Sequence, residues 1–73
     1  MDLEIDAIGL LCPLPVLRAR RTLAALPKGT RVRLLADDPA AVVDVPHFCT
    51  EAGHVLELQE EVEGVQVYII RRG

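Results

Sequence analysis

Proline and glycine interrupt this chain at short intervals, and the interruptions leave room for only six short elements. Pro13 and Pro15, Pro27-Lys28-Gly29, Asp38-Pro39, Gly53 and Glu63-Gly64 each end or begin a periodic run. Before the first break, Leu3, Ile5 and Ala7 alternate with Asp2, Glu4 and Asp6, the pattern of a half-buried strand. From Pro13 to Leu26 the apolar period lengthens to that of a helix. Val16, Ala19, Leu23 and Leu26 share one stripe, with Leu14, Arg18 and Arg21 opposite. Alternation returns at Arg31–Ala36, where Val32, Leu34 and Ala36 share a face. Asp38 as N-cap and Pro39 as first helical residue then open a second helix. Its stripe is Val42, Val45, Cys49 and Ala52. Pro46 removes one of its hydrogen bonds and predicts a kink or split, and Gly53 ends it. Val55–Glu61 and Val65–Arg71 read as strands of a hairpin turning near Glu63-Gly64.

The expected order is β-α-β-α-β-β over a single domain, residues 1–73, of the α/β class. Right-handed β-α-β connections place both helices on one face of the sheet, giving a two-layer sandwich. The other face is left polar and wet, with Arg31, Arg33, Glu57, Gln59 and Glu61 upon it.

At 73 residues the chain sits near the lower limit of what a hydrophobic core alone can hold. Its 51% hydrophobic content supplies that core without disulfides. No apolar run approaches the roughly 20 residues of a membrane-spanning helix. The acidic start, Met1-Asp2-Leu3-Glu4, lacks the features of an export signal. Two cysteines in such a chain point to a reducing cytoplasm. The net charge of −3 hides a segregation. Residues 7–36 carry Arg18, Arg20, Arg21, Lys28, Arg31 and Arg33 and no acid. Residues 37–63 carry Asp37, Asp38, Asp44, Glu51, Glu57, Glu60, Glu61 and Glu63 and no base.

Within the basic segment lies Gly9-Leu10-Leu11-Cys12-Pro13-Leu14-Pro15. Proline is at home in a first helical turn and biases its predecessor toward extended angles. Cys12 is therefore expected as the N-cap, Pro13 at the first and Pro15 at the third helical position. The Cys12 and Leu14 N–H groups would be free to meet a sulfur anion at the positive end of the helix dipole. Dipole and basic surroundings predict a thiol modestly more acidic than usual. A dithiol oxidoreductase would carry its second cysteine at position 15, where this chain has Pro15. Cys49 is expected to fill core space as a small hydrophobe. It lies eleven residues past Asp38, roughly 16 Å down the helix, whereas a disulfide needs Cα atoms within about 7 Å. Cys12, His47, Cys49 and His54 show no paired ligand spacing, so no metal is expected, nor any other cofactor. The Asp37-Asp38 pair is assigned to capping, and His47 to the solvated side of its helix.

The motif from Gly9 to Pro15, followed by Arg20, resembles the signature of the TusA/SirA-like sulfur carriers. The similarity extends through Ala36-Asp37-Asp38-Pro39-Ala40, Asp44-Val45-Pro46 and Phe48-Cys49, and so covers essentially the whole chain. The resemblance implies a mixed four-stranded sheet under two helices, and a Cys12 that carries sulfane sulfur as a persulfide. It implies a carrier working between proteins, not a stand-alone enzyme. The donor would be a cysteine desulfurase or a rhodanese-like protein, and the acceptor a DsrE/TusD-like protein. The sulfur would serve tRNA 2-thiolation or sulfur oxidation. The carrier of the tRNA pathway has an acidic residue between its prolines, where this chain has Leu14. Gly9, Pro13, Leu14 and Pro15 are the expected supports of Cys12. Leu14, Arg18, Arg20 and Arg21 are the expected docking residues. Two other classes fit parts of the sequence. A basic segment suits an RNA-binding or regulatory module. Overall acidity, no tryptophan, and only Phe48 and Tyr68 as aromatics argue against direct nucleic-acid binding. A thiol redox sensor would need a resolving thiol within reach.

Overall fold

A computed structural model describes residues 3–73. Six elements follow in the expected order: β1 (Leu3–Ala7), α1 (Leu14–Ala24), β2 (Arg31–Ala36), α2 (Ala41–Ala52), β3 (Val55–Val62) and β4 (Val65–Arg71). The sheet runs β1-β2-β4-β3. β1 and β2 are parallel, while β4 is antiparallel to both β2 and β3. Asp2, assigned above to the first strand, lies outside the described residues.

Register fixes which residues face the helices. Ile5, Leu34 and Tyr68 stand abreast on three adjacent strands, as do Val32 and Ile70. Facing partners in a ladder point to the same side. All five belong to one buried cluster with Ala19 and Leu23 of α1 and with Ala41, Val45, Phe48 and Cys49 of α2. The core thus lies between the sheet and one layer of two helices. Arg72 ties the last strand to α1, its Nε donating to the Leu23 carbonyl at 2.8 Å and so satisfying an acceptor near the helix C-terminus.

Four details depart from the sequence reading. α1 begins one residue late, with Pro13 as N-cap and Pro15 buried at its second position. In α2 the cap is Ala40, not Asp38, and the buried side is Ala41, Val45, Phe48 and Cys49. Val42 and Ala52, expected in the stripe, are exposed, and Phe48 takes the core position instead. Pro46 does not split α2. The carbonyl it leaves unpaired, four residues back at Val42, accepts a hydrogen bond from Gln59 Nε2 at 3.2 Å.

That contact depends on the fourth departure. β3 carries an irregularity between Leu56 and Leu58, and one extra residue in a strand reverses the facing of everything after it. Glu57 stays on the open face, where it pairs with Arg31 at 2.8 Å and Arg71 at 3.1 Å. Gln59 and Glu61, expected beside it, swing to the helix side, abreast of Tyr68 and Gln66. Leu58 and Val62 take the open face in their place, so that face is less polar than its sequence suggested. The hairpin closes through Glu63 and Gly64, both with positive φ (50° and 81°). This is the turn geometry that suits the twist of paired strands.

Candidate functional site

Cys12 stands in the loop between β1 and α1, exposed and reduced. Its peptide bond to Pro13 is cis. Two aspartates from the β2–α2 connection hold this loop. Asp37 Oδ1 accepts the Gly9 N–H at 2.9 Å, and Asp38 Oδ2 accepts the Cys12 N–H at 2.8 Å. The Leu14 N–H is used locally, bonding the Leu11 carbonyl at 2.8 Å. Neither backbone donor expected to face the sulfur is therefore free. Asp37 and Asp38 act as a clamp on a neighbouring loop, not as a helix cap. A buried relay backs the clamp. Tyr68 Oη donates to Gln66 Oε1 at 2.6 Å, and Gln66 Nε2 donates to the Asp38 carbonyl at 2.9 Å. Burial, with help from Glu61, pushes the Tyr68 phenol up to about 12, which keeps it protonated as that donor.

The sulfur itself has a partner that sequence reading missed. Cys12 Sγ donates to Asp44 Oδ2 across 2.8 Å. Asp44 sits in the first turn of α2. The Cys12 thiol is held above its ordinary value, first by that hydrogen bond, then by desolvation, then by the charges of Asp44 and Asp38. The expected acidic thiol is thus reversed. The basic segment surrounds Cys12 along the chain, but the fold folds the head of the acidic segment against it. No local spacing signals a contact between residues 32 apart. The one available cue was the acidic cluster opening the second helix, which starts at the same sheet edge as the first.

A groove of about 280 Å³ runs from Cys12 between α1 and α2. It is lined by Cys12, Pro13, Val16, Arg20, Asp44, His47, Phe48 and Glu51. Arg20 lies over the Phe48 ring, 5.2 Å from its centroid, a cation–π arrangement. His47 and Glu51 pair at 2.9 Å on the exposed side of α2. A larger groove of about 530 Å³, lined by Leu10, Leu14, Leu17, Arg18, Arg21 and Thr22, lies on the other side of α1 and contains no nucleophile or acid of the site. The four expected docking residues therefore divide. Arg20 shares the Cys12 groove, while Leu14, Arg18 and Arg21 line the second. Leu14 is 47% exposed, and Arg18 donates to the Asp6 carbonyl at 3.0 Å. Gly9 (φ 83°) supplies the left-handed turn that leads into the cysteine loop.

Cys49 is 2% exposed within the core and unpaired. Burial pushes its thiol up to about 11. Among the described residues, no three His, Cys, Asp or Glu side chains are grouped to hold a metal ion. Among the described residues, no helix is long and apolar enough to cross a membrane.

Comparison with known proteins bears on the family and the fold. Residues 3–72 match the family described as Sulfurtransferase TusA. The chain is 39% identical over 72 residues to the sulfur carrier protein TusA of Pseudomonas syringae pv. syringae (strain B728a), covering 99% of this chain and 86% of that one. The crystal structure of a SirA-like protein from Desulfitobacterium hafniense superposes with a TM-score of 0.85 at 34% identity, over 100% of this chain and 99% of the other.

Proposed function

The chain belongs to the TusA sulfurtransferase family, and from that membership we propose that it is a sulfur carrier whose Cys12 receives sulfane sulfur as a persulfide and hands it to an acceptor protein. The observation that carries this reading is the contrast in access between its two thiols. Cys12 is exposed at the mouth of a groove between two helices, and Cys49 is enclosed.

In the loading step the Cys12 thiolate attacks the terminal sulfur of a donor persulfide. A sulfur–sulfur bond forms at Cys12, the donor's bond breaks, and the donor departs as a thiolate. Release repeats the exchange with the acceptor thiolate as nucleophile. Gly9, Pro13 and Pro15 shape the loop. Arg20 docks the partner along the Cys12 groove, and Leu14, Arg18 and Arg21 dock it along the groove on the other side of α1. A cysteine desulfurase or a rhodanese-like protein is the proposed donor and a DsrE/TusD-like protein the acceptor, in the cytoplasm. The sulfur is destined for tRNA 2-thiolation or for sulfur oxidation and trafficking. Leu14, at the position where the tRNA-pathway carrier is acidic, contributes to the choice of partner.

Intact mass after incubation with a cysteine desulfurase and cysteine, or with a thiosulfate sulfurtransferase and thiosulfate, tests the proposal. A gain of one sulfur, reversed by reductant, is expected in the wild type and in Cys49→Ser but not in Cys12→Ser. No gain from any donor overturns it.

A further inference from the structure

Among the described residues, the side chains that hydrogen-bond the Cys12 loop are all carboxylates: Asp37 at Gly9, and Asp38 and Asp44 at Cys12. Asp44 Oδ2 accepts from Sγ at 2.8 Å, and Asp38 Oδ2 accepts from the backbone N–H of the same residue at 2.8 Å. Arg20 lines the same groove with its guanidinium over the Phe48 ring, and His47 bonds Glu51. Among the described residues, the ion pairs are those of Arg31 and Arg71 with Glu57 and of His47 with Glu51, so neither Asp44 nor Asp38 is neutralised by one.

A carboxylate bonded to a thiol could act as a base or as a restraint, and magnitudes decide between them. Ordinary thiol and aspartate acidities differ by more than about four powers of ten, so the shared proton rests on sulfur. The contact also raises the thiol further. We propose that Asp44 is a positioning residue that holds Cys12 as a neutral, oriented thiol in the free protein and so limits its reaction with chance electrophiles. This rests on the reading of Cys12 as the sulfur-accepting atom.

The transfer step then proceeds from the thiolate. The Cys12 proton leaves to solvent and the sulfur attacks the outer sulfur of a persulfide donor. The donor's inner sulfur takes the electron pair of the broken bond and, in turn, a proton from solvent. The donor is reduced from persulfide to thiol, and Cys12 is oxidised from thiol to persulfide. Because thiolate is the nucleophile, removing the negative charge at position 44 should accelerate reaction, whereas loss of a general base would slow it.

The rate of Cys12 alkylation by iodoacetamide, followed across pH by peptide mass, tests this directly. Asp44→Asn should move the profile to lower pH and speed alkylation near neutral pH by about three- to tenfold. Asp44→Glu should restore the wild-type profile. Loading from glutathione persulfide should rise in Asp44→Asn by a similar factor. An unchanged profile, or a shift to higher pH, overturns the proposal. If Asp44→Asn does not fold, thiolate absorbance in the wild type decides. A Cys12 midpoint above that of the denatured chain supports the role, and one at or below it overturns the role. Alkylation involves no sulfur transfer. A protein that never loads would refute the carrier function while leaving the alkylation profile to judge Asp44 alone.

Discussion

The two thiols of this chain are both held neutral, by opposite means. Cys49 is raised by enclosure among Val45, Phe48 and the sheet, and only unfolding can change that. Cys12 is raised at the surface first by its hydrogen bond to Asp44, then by desolvation, then by the charges of Asp44 and Asp38. The carboxylate contributions can change without disturbing the core. A raised thiol therefore says little by itself about availability. The cause of the shift separates a structural cysteine from one that can be switched.

Several substitutions would break this contrast, and the largest effect belongs to alkylation at high pH. With thiolate formed at both residues, Cys12 should still react at least about a hundredfold faster than Cys49, because attack at Cys49 requires local opening of the core. Comparable rates would show α2 to be loosely packed. Next comes the core itself. Leu23→Ala should lower stability by about 2–5 kcal/mol in chemical denaturation, whereas Leu14→Ala should leave the midpoint nearly unchanged. A large loss from Leu14→Ala would place that residue in the fold and not in the docking surface. Cys49→Ser introduces a buried hydroxyl and should lower stability by about 1–3 kcal/mol, while Cys12→Ser should leave the midpoint where it was.

Gln59→Ala sharpens the account of α2. The Val42 carbonyl loses its donor, and a loss of about 1 kcal/mol is expected. No change would mean that water replaces Gln59 at Pro46. A separate effect is on pH dependence. Both thiols are more basic folded than unfolded, so the native state keeps protons that the unfolded chain has released. Stability should fall as pH rises from the ordinary thiol value toward about 11, the folded value of Cys49. Cys49→Ala should flatten that alkaline decline, and a decline as steep as the wild type's would assign it to other groups.

Much of this fold was legible because it depends on local pattern. Six elements in order, the exposure of Cys12 and Leu14, and the burial of Cys49 all follow from periodicity and from proline and glycine placement. What escaped depends on single insertions and distant pairs. One extra residue near Glu57 reverses the facing of Gln59 and Glu61, and nothing in an alternating run announces it. That reversal lets Gln59 supply a donor to the Val42 carbonyl that Pro46 leaves free. Asp38 had a sound local role as a cap, but the cysteine loop from 26 residues earlier took its carboxylate. Asp44 was missed for the same reason, and with it the sign of the shift at Cys12. A helix dipole counts for little against a carboxylate at hydrogen-bond distance.

Whether Cys12 passes sulfur onward is read from a single-turnover hand-off. Protein loaded on Cys12 and freed of its donor is mixed with a DsrE-like acceptor, and both masses are followed in time. One sulfur should leave Cys12 as one sulfur appears on an acceptor cysteine. Sulfur that stays on Cys12, or that leaves only as free sulfide, would contradict the carrier role.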